Sequence, residues 1–253
     1  MPKVAVLFLT PACNMHCDFC GAAADFEPIP YDEAAALVDR LAAEGTQSMV
    51  LGGGEPFLWK HDIFHLARRI RQRGMIAQVG TNATLAPGAD AALHEFDRWI
   101  LPLESLSGAV HDAMRHFDGG HLHKIMQLLD RLRKNSVEAT VSSLVTQENF
   151  DSLIEVGALL EWYQQHGGRL HAWHLYRFLP VGRGGRFNSR RFETGGGIFE
   201  SLAELLKKRY AGLRVYARPD MYHSRETSFH WWQGGALQGY AAIAFGLAAA
   251  PTS

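Results

Sequence analysis

Cys13, Cys17 and Cys20 fall within eight residues, at spacings of four and three, and they are the only cysteines in the 253-residue chain. Three thiols in one short loop suit a single inorganic centre. Iron–sulfur clusters are held by cysteine thiolates, and a four-iron cluster with three protein ligands keeps one iron for a non-protein ligand. Zinc is the alternative; it usually takes four ligands from two separated pairs and would need His16 here. A second stretch able to do chemistry, Gly52-Gly53-Gly54-Glu55-Pro56, follows about one βα unit later. Glycine lets backbone approach a ligand closely, Glu55 offers a carboxylate to an ammonium, and Pro56 stiffens the turn.

Cys-x3-Cys-x2-Cys followed by Gly-Gly-Glu-Pro resembles the radical S-adenosylmethionine (SAM) enzymes. The resemblance implies that Cys13, Cys17 and Cys20 ligate a [4Fe-4S] cluster whose fourth iron is chelated by SAM. One electron then cleaves SAM to methionine and a 5′-deoxyadenosyl radical, which abstracts hydrogen from a substrate. It implies that Gly53, Gly54, Glu55 and Pro56 bind the SAM amino group and that Phe19 packs beside cluster and adenine. Thr81-Asn82-Ala83 stands where the family often has Thr-Asn-Gly, making Asn82 a contact to SAM or substrate; with alanine in the glycine position, an ordinary φ is expected at Ala83. Glu104 and Ser105 resemble the pair that meets the ribose. His111 and Arg115 resemble a His-Asp-x-x-Arg stretch, a solvated helix face being the plain alternative. Pro180-Val181-Gly182-Arg183-Gly184 resembles a Pro-x-Gly-Arg segment, placing Val181 along the adenine edge.

These residues need a scaffold, and the hydrophobic pattern supplies one. Val4 to Thr10, Ser48 to Leu51, Met75 to Gly80, Trp99 to Leu103, Val137 to Val145 and Leu170 to Phe178 read as strands. Helical stretches alternate with them: Tyr31 to Glu44, His61 to Arg73, Ala89 to Phe96, Leu122 to Lys134, Phe150 to His166 and Phe199 to Tyr210. Strand–helix repeated in this way is the signature of a parallel α/β sheet with right-handed crossovers. The resemblance narrows it to a partial (β/α)6 TIM-like barrel with a short irregular C-terminal extension. Every motif falls just after a strand, where such folds place their chemistry. Residues 1–217 read as the core domain and 218–253 as the extension, with Arg218 to Trp232 irregular and Gly234 to Ala250 small and apolar. That apolar tail suggests a homodimer contact. Of Ser142 and Ser143, one must face the interior, because side chains alternate along a strand; it is a candidate contact to the SAM carboxylate or ribose. Trp173, His174 and Tyr176 alternate similarly and read first as buried core.

Composition sets the limits. The chain is 47% hydrophobic and has a net charge of −1, which gives no clear nucleic-acid surface. There is no run of ~20 apolar residues to span a bilayer and no signal-peptide pattern at Met1-Pro2-Lys3-Val4. Three clustered cysteines are no disulfide framework, so a cytoplasmic location is expected. With no cysteine after Cys20, auxiliary-cluster subclasses are disfavoured. Gly53 to Leu58 and Glu104-Ser105 also fit viperin-like nucleotide-modifying members. The substrate is expected to be a small molecule, nucleotide or peptide, with late-loop residues Arg186, Arg190, Arg191, Arg218, Tyr222, His223 and Arg225 as candidates to cover the site and bind an anionic group. The electron donor would be a protein such as flavodoxin or ferredoxin. A non-catalytic iron–sulfur or zinc protein, structural or redox-sensing, is the competing class; it has no need of Glu55 or of SAM cleavage.

Overall fold

In the computed structural model, which describes residues 3–117, 119–220 and 226–240, the βα rhythm is present throughout. The order is β1 (Val4–Thr10), α1 (Tyr31–Ala43), β2 (Ser48–Gly53), α2 (Ile63–Gln72), β3 (Ile76–Gly80), β4 (Arg98–Pro102), α3 (Gly108–Arg115), α4 (His121–Lys134), β5 (Glu138–Val145), α5 (Leu153–Gln165) and β6 (Arg169–Arg177). Two single-turn helices follow, α6 (Gly182–Gly185) and α7 (Ser189–Phe192), then α8 (Ile198–Arg209), β7 (Val215–Arg218), β8 (Thr227–Gln233) and β9 (Ala236–Tyr240). Local chemistry explains the boundaries. Asp62 caps α2 by accepting from the amides of Phe64 and His65 at 2.9 and 3.1 Å, and Gly74, at φ +78°, ends the helical turn after it. The expected helix at 89–96 is a 3-10 helix, Asp90–Glu95.

The strands form one sheet in the order β7-β6-β5-β4-β3-β2-β1-β8-β9, parallel except for the β8–β9 pair. The helices pack on one face. There Leu7, Leu9, Met49, Leu51, Val79, Trp99, Leu101, Val141, Trp173 and Leu175 join apolar residues of α1, α2, α4, α5 and α8 in a single core. Alternate strand residues point to the other face, the lumen of an unclosed barrel. Its lower end is filled by a polar chain: Gln78 joins Ser48, Arg98 Nη1 donates to Gln78 Oε1 (3.2 Å), and Arg98 Nε donates to Glu138 Oε2 (2.7 Å).

One expected irregular segment is regular. Within Arg218 to Trp232, residues from Thr227 onward form β8, which pairs in parallel with the free edge of β1 from Val4↔Thr227 to Leu7↔His230. An unpaired edge beside the cysteine loop would leave backbone donors and acceptors open. Gly234 and Gly235, at φ +61° and +72°, then make the two-residue turn into β9. The remaining tail, 241–253, lies outside the described residues.

Candidate functional site

The cysteine loop leaves the C-terminal end of β1 and is held from two sides. On one side the amides of Gly54 and Glu55 donate to the carbonyls of Thr10 and Ala12, both at 2.8 Å. A Cβ on Gly54 would sit 2.1 Å from the Ala12 carbonyl oxygen, and Gly53 has φ +129°. The glycines expected to admit a ligand thus admit the cysteine loop itself. On the other side, the amides of Gly184 and Gly185 donate to the Cys20 carbonyl at 3.0 and 3.2 Å, and that of Arg183 to Ala22 at 3.0 Å. Arg183 Nη1 reaches the Pro11 carbonyl (3.0 Å), and Asn188 Nδ2 that of Asp18 (3.0 Å). A Cβ on Gly184 would lie 2.4 Å from the Cys17 carbonyl oxygen. The Pro180–Gly184 segment is therefore a clamp on the cysteine loop, and Val181 packs in a small apolar cluster with Phe8, Phe26 and Trp231.

All three thiols are half-buried and free. Burial pushes Cys17 up to about 11, against the pull of Arg115, and also raises Cys13. Nitrogen donors are aimed at both: Asn82 Nδ2 lies 3.8 Å from Cys13 Sγ and Arg115 Nη1 3.9 Å from Cys17 Sγ. Such outer donors favour thiolate and tune a bound metal. His16 is exposed. The donor set fits a polynuclear iron–sulfur centre better than zinc. Phe19 meets Phe192 edge-on at 5.9 Å and lies under the Arg115 guanidinium at 5.1 Å.

Glu55 is fully buried, and its carboxylate is engaged by protein donors. It accepts from Thr81 Oγ1 (2.8 Å), from the Asn82 amide (2.8 Å) and from the Phe57 amide (3.2 Å), tying the loop after β2 to that after β3. Burial raises its pKa, opposed by these donors. Pro56, also buried, opens a 3-10 turn, Pro56–Leu58. The expectation at Ala83 fails: its φ is +65°, the left-handed region, because its amide bonds back to Thr81 Oγ1 (3.0 Å). The turn keeps the glycine-like geometry without glycine.

Glu104, expected at a ribose, is 2% exposed and gripped by Arg115 through Nε–Oε2 (2.7 Å) and Nη2–Oε1 (2.8 Å). Burial opposes its charge, but Arg115 overrides it and holds the carboxyl below its ordinary value. His111 and Arg115 are buried, so the solvated-face alternative fails. His121, which sequence reasoning missed, completes a chain. Its Nε2 faces the Asn82 carbonyl (2.8 Å) and its Nδ1 faces His111 Nε2 (2.7 Å), while His111 Nδ1 faces the Glu104 amide (3.1 Å). Burial depresses His111 to about 4 and His121 to about 3, so both are neutral. The Asn82 carbonyl then requires a proton on His121 Nε2, and every other proton along the chain follows. His111, Asp112 and His121 are close enough to suggest a metal, but both imidazole lone pairs already accept hydrogen bonds. The group is a relay of positions between the loops after β3 and β4.

Ser105 is fully buried and accepts from the Ser107 amide (3.0 Å), closing its own turn. Ser142 lies on the lumen face; Ser143 points to the core, where it bonds the Leu103 carbonyl and receives Trp173 Nε1 (2.9 Å). Trp173 is core as expected, while His174 and Tyr176 face the lumen and are half-buried. Arg191 pairs with Asp18 and Glu148 beside the cysteine loop, and Arg186 and Arg190 are exposed. Tyr222, His223 and Arg225 lie outside the described residues. No helix among the described residues is long and apolar enough to cross a membrane.

A family model described as the Radical SAM superfamily matches residues 7–160. Among curated proteins, the chain is similar to an AdoMet-dependent heme synthase of Nitratidesulfovibrio vulgaris, 28% identical over 188 residues, covering 72% of this chain and 49% of that protein. It is similar also to an AdoMet-dependent heme synthase of Methanosarcina barkeri, 27% identical over 190 residues, covering 72% and 52%. The chain thus spans about half the length of these relatives. Among solved structures, Streptococcus suis SuiB bound to S-adenosylmethionine aligns with a TM-score of 0.72 at 14% identity, covering 87% of this chain and 51% of that one.

Proposed function

The chain belongs to the radical SAM superfamily, and on that premise we propose that Cys13, Cys17 and Cys20 hold a [4Fe-4S] cluster against which SAM binds at the C-terminal edge of the sheet. When bound, cluster and SAM supply one-electron reductive cleavage and thereby the means to take a hydrogen atom from a substrate. The observation that carries the reading is the pair of N–H donors, on Asn82 and Arg115, directed at two of the three clamped thiols.

The protein's own part is to bind, orient and exclude water. The Gly54 carbonyl has no hydrogen-bond partner among the described residues, so it, rather than the committed Glu55 carboxylate, is the acceptor for the SAM ammonium. Asn82 and Ser142 supply polar groups on the lumen side, and Phe19 and Val181 shield the loop. Arg115 places a fixed positive charge beside the thiolates, offsetting their accumulated negative charge. The substrate, a small molecule, nucleotide or peptide, lies on the lumen face, and a low-potential protein such as flavodoxin or ferredoxin supplies the electron. The free thiols accord with a reducing, cytoplasmic setting.

Anaerobic reconstitution with iron and sulfide, then SAM and dithionite, tests this. About four irons per chain and release of 5′-deoxyadenosine are expected, with both lost in Cys17→Ala. Zinc uptake, or a cluster that leaves SAM intact, sinks the enzyme reading.

A further inference from the structure

Hydrogen abstraction needs no cation on the far wall of the lumen, yet β6 and β7 place one there. His174 and Tyr176 sit at successive lumen positions of β6, in register with Tyr216 and Arg218 of β7. The rings of His174 and Tyr216 meet edge-on at 5.4 Å, His174 Nδ1 is 3.3 Å from the Tyr176 hydroxyl, and the Arg218 guanidinium lies over the Tyr216 ring at 5.2 Å. Ser142 is the register partner of His174 on the other side. One step lower, the buried Thr140 Oγ1 has no hydrogen-bond partner.

We propose that His174, Tyr176, Tyr216 and Arg218 form the recognition site for a carboxylate carried by the substrate; the assignment rests on the reading of this face as the substrate lumen. Arg218 is half-buried, and its one side-chain contact seen among the described residues is with the Tyr216 ring, not with a carboxylate. Arg98, lower on the same face, is taken up by Glu138, and Arg115 by Glu104. A partly desolvated guanidinium without a counter-ion is unfavourable, and a carboxylate matches its fork in bidentate geometry. Stacking on Tyr216 fixes the plane of that fork. Burial and the nearby Arg218 charge hold His174 down at about 3, and burial raises Tyr176. Both therefore stay neutral near pH 7 and add hydrogen bonds without competing for the cation.

Saturation-transfer NMR on the anaerobically reconstituted protein, with benzoate and its neutral isostere benzamide as probes, tests the site. Benzoate should receive saturation and benzamide should not, and Arg218→Gln should weaken benzoate at least tenfold while keeping the wild-type iron content. Tyr176→Phe should weaken it a few-fold, and carries the test if Arg218→Gln does not fold. Equal transfer to both probes, or unchanged affinity in both variants, overturns the proposal. So does displacement of benzoate by saturating SAM, which would assign the site to the carboxylate of SAM itself. Release of 5′-deoxyadenosine by the wild type is read separately: its absence is a failure of the enzyme reading, whereas loss of benzoate selectivity is a failure of this site alone.

Discussion

Arg115 holds both carboxylate oxygens of Glu104, at 2.7 and 2.8 Å, and neither residue is more than 7% exposed. The pair joins α3 to the loop after β4, and the free Nη1 extends it to Cys17. One buried ion pair thereby sets both a backbone position and the charge beside a thiol.

Replacing Arg115 by Met strands the Glu104 charge in the interior. We expect a loss of about 3–5 kcal/mol in denaturant unfolding of the cluster-free protein. The double variant Arg115→Met/Glu104→Gln should recover most of it. A single variant as stable as the wild type would show that the carboxylate reaches water.

The neutral histidine chain makes stability depend on pH in a defined sense. The folded values of His111 and His121, about 4 and about 3, lie below the ordinary 6.5. The unfolded chain therefore takes up protons first, and stability falls as pH drops below about 6.5 toward the folded values. Between pH 6.5 and 5 each histidine should account for roughly 1.5–2 kcal/mol. The slope over that window should be shallower in His121→Gln than in wild type. Parallel slopes would mean that His121 titrates alike in the folded and unfolded chains.

The two-sided clamp predicts sharp differences among glycines. Gly54→Ala and Gly184→Ala push a methyl to within 2.1 Å of the Ala12 and 2.4 Å of the Cys17 carbonyl oxygens. Both should fold through the intact helix-side core yet bind less iron on reconstitution. Gly88→Ala, with nothing within 4 Å of its Cβ, should load as wild type. Iron and sulfide content per chain is the readout.

Asn82 Nδ2, 3.8 Å from Cys13 Sγ, should stabilise the more reduced, more negative state of a bound cluster. Asn82→Ala should make the reduction potential more negative by roughly 20–60 mV, as expected for one net hydrogen bond of about 0.5–1.5 kcal/mol. Redox titration followed by electron paramagnetic resonance measures it. An unchanged potential would detach this side chain from the cluster.

Much of the scaffold was legible because its signals are local. The apolar run Val4 to Leu9 and the amphipathic stretch around Leu66 and Ile70 announce a strand and a helix by period alone. β8 was missed because its partner is β1, more than 200 residues earlier; no local pattern reports a vacant edge, although Gly234-Gly235 between two strand-like runs was a usable hairpin signal. In the site, the thiols were visible by type and spacing. The roles of Glu55 and Glu104 were not, because a carboxylate reads as a ligand group until its donors, Thr81 in one case and Arg115 in the other, are placed in space. His121 carried no motif at all. Its part depends on a carbonyl 39 residues away.

The clamp joins the beginning of the chain to its late part: Arg183 bonds Pro11 across 172 positions, and β8 completes β1 later still. During synthesis, at about 5–20 residues per second, the thiols leave the ribosome roughly ten to thirty seconds before the residues that enclose them. The N-terminal segment therefore spends that interval as an open, oxidisable hairpin of soft ligands. On the proposed function, cluster assembly waits until the Arg183 and β8 segments have been made, or a carrier shields the cysteines until then.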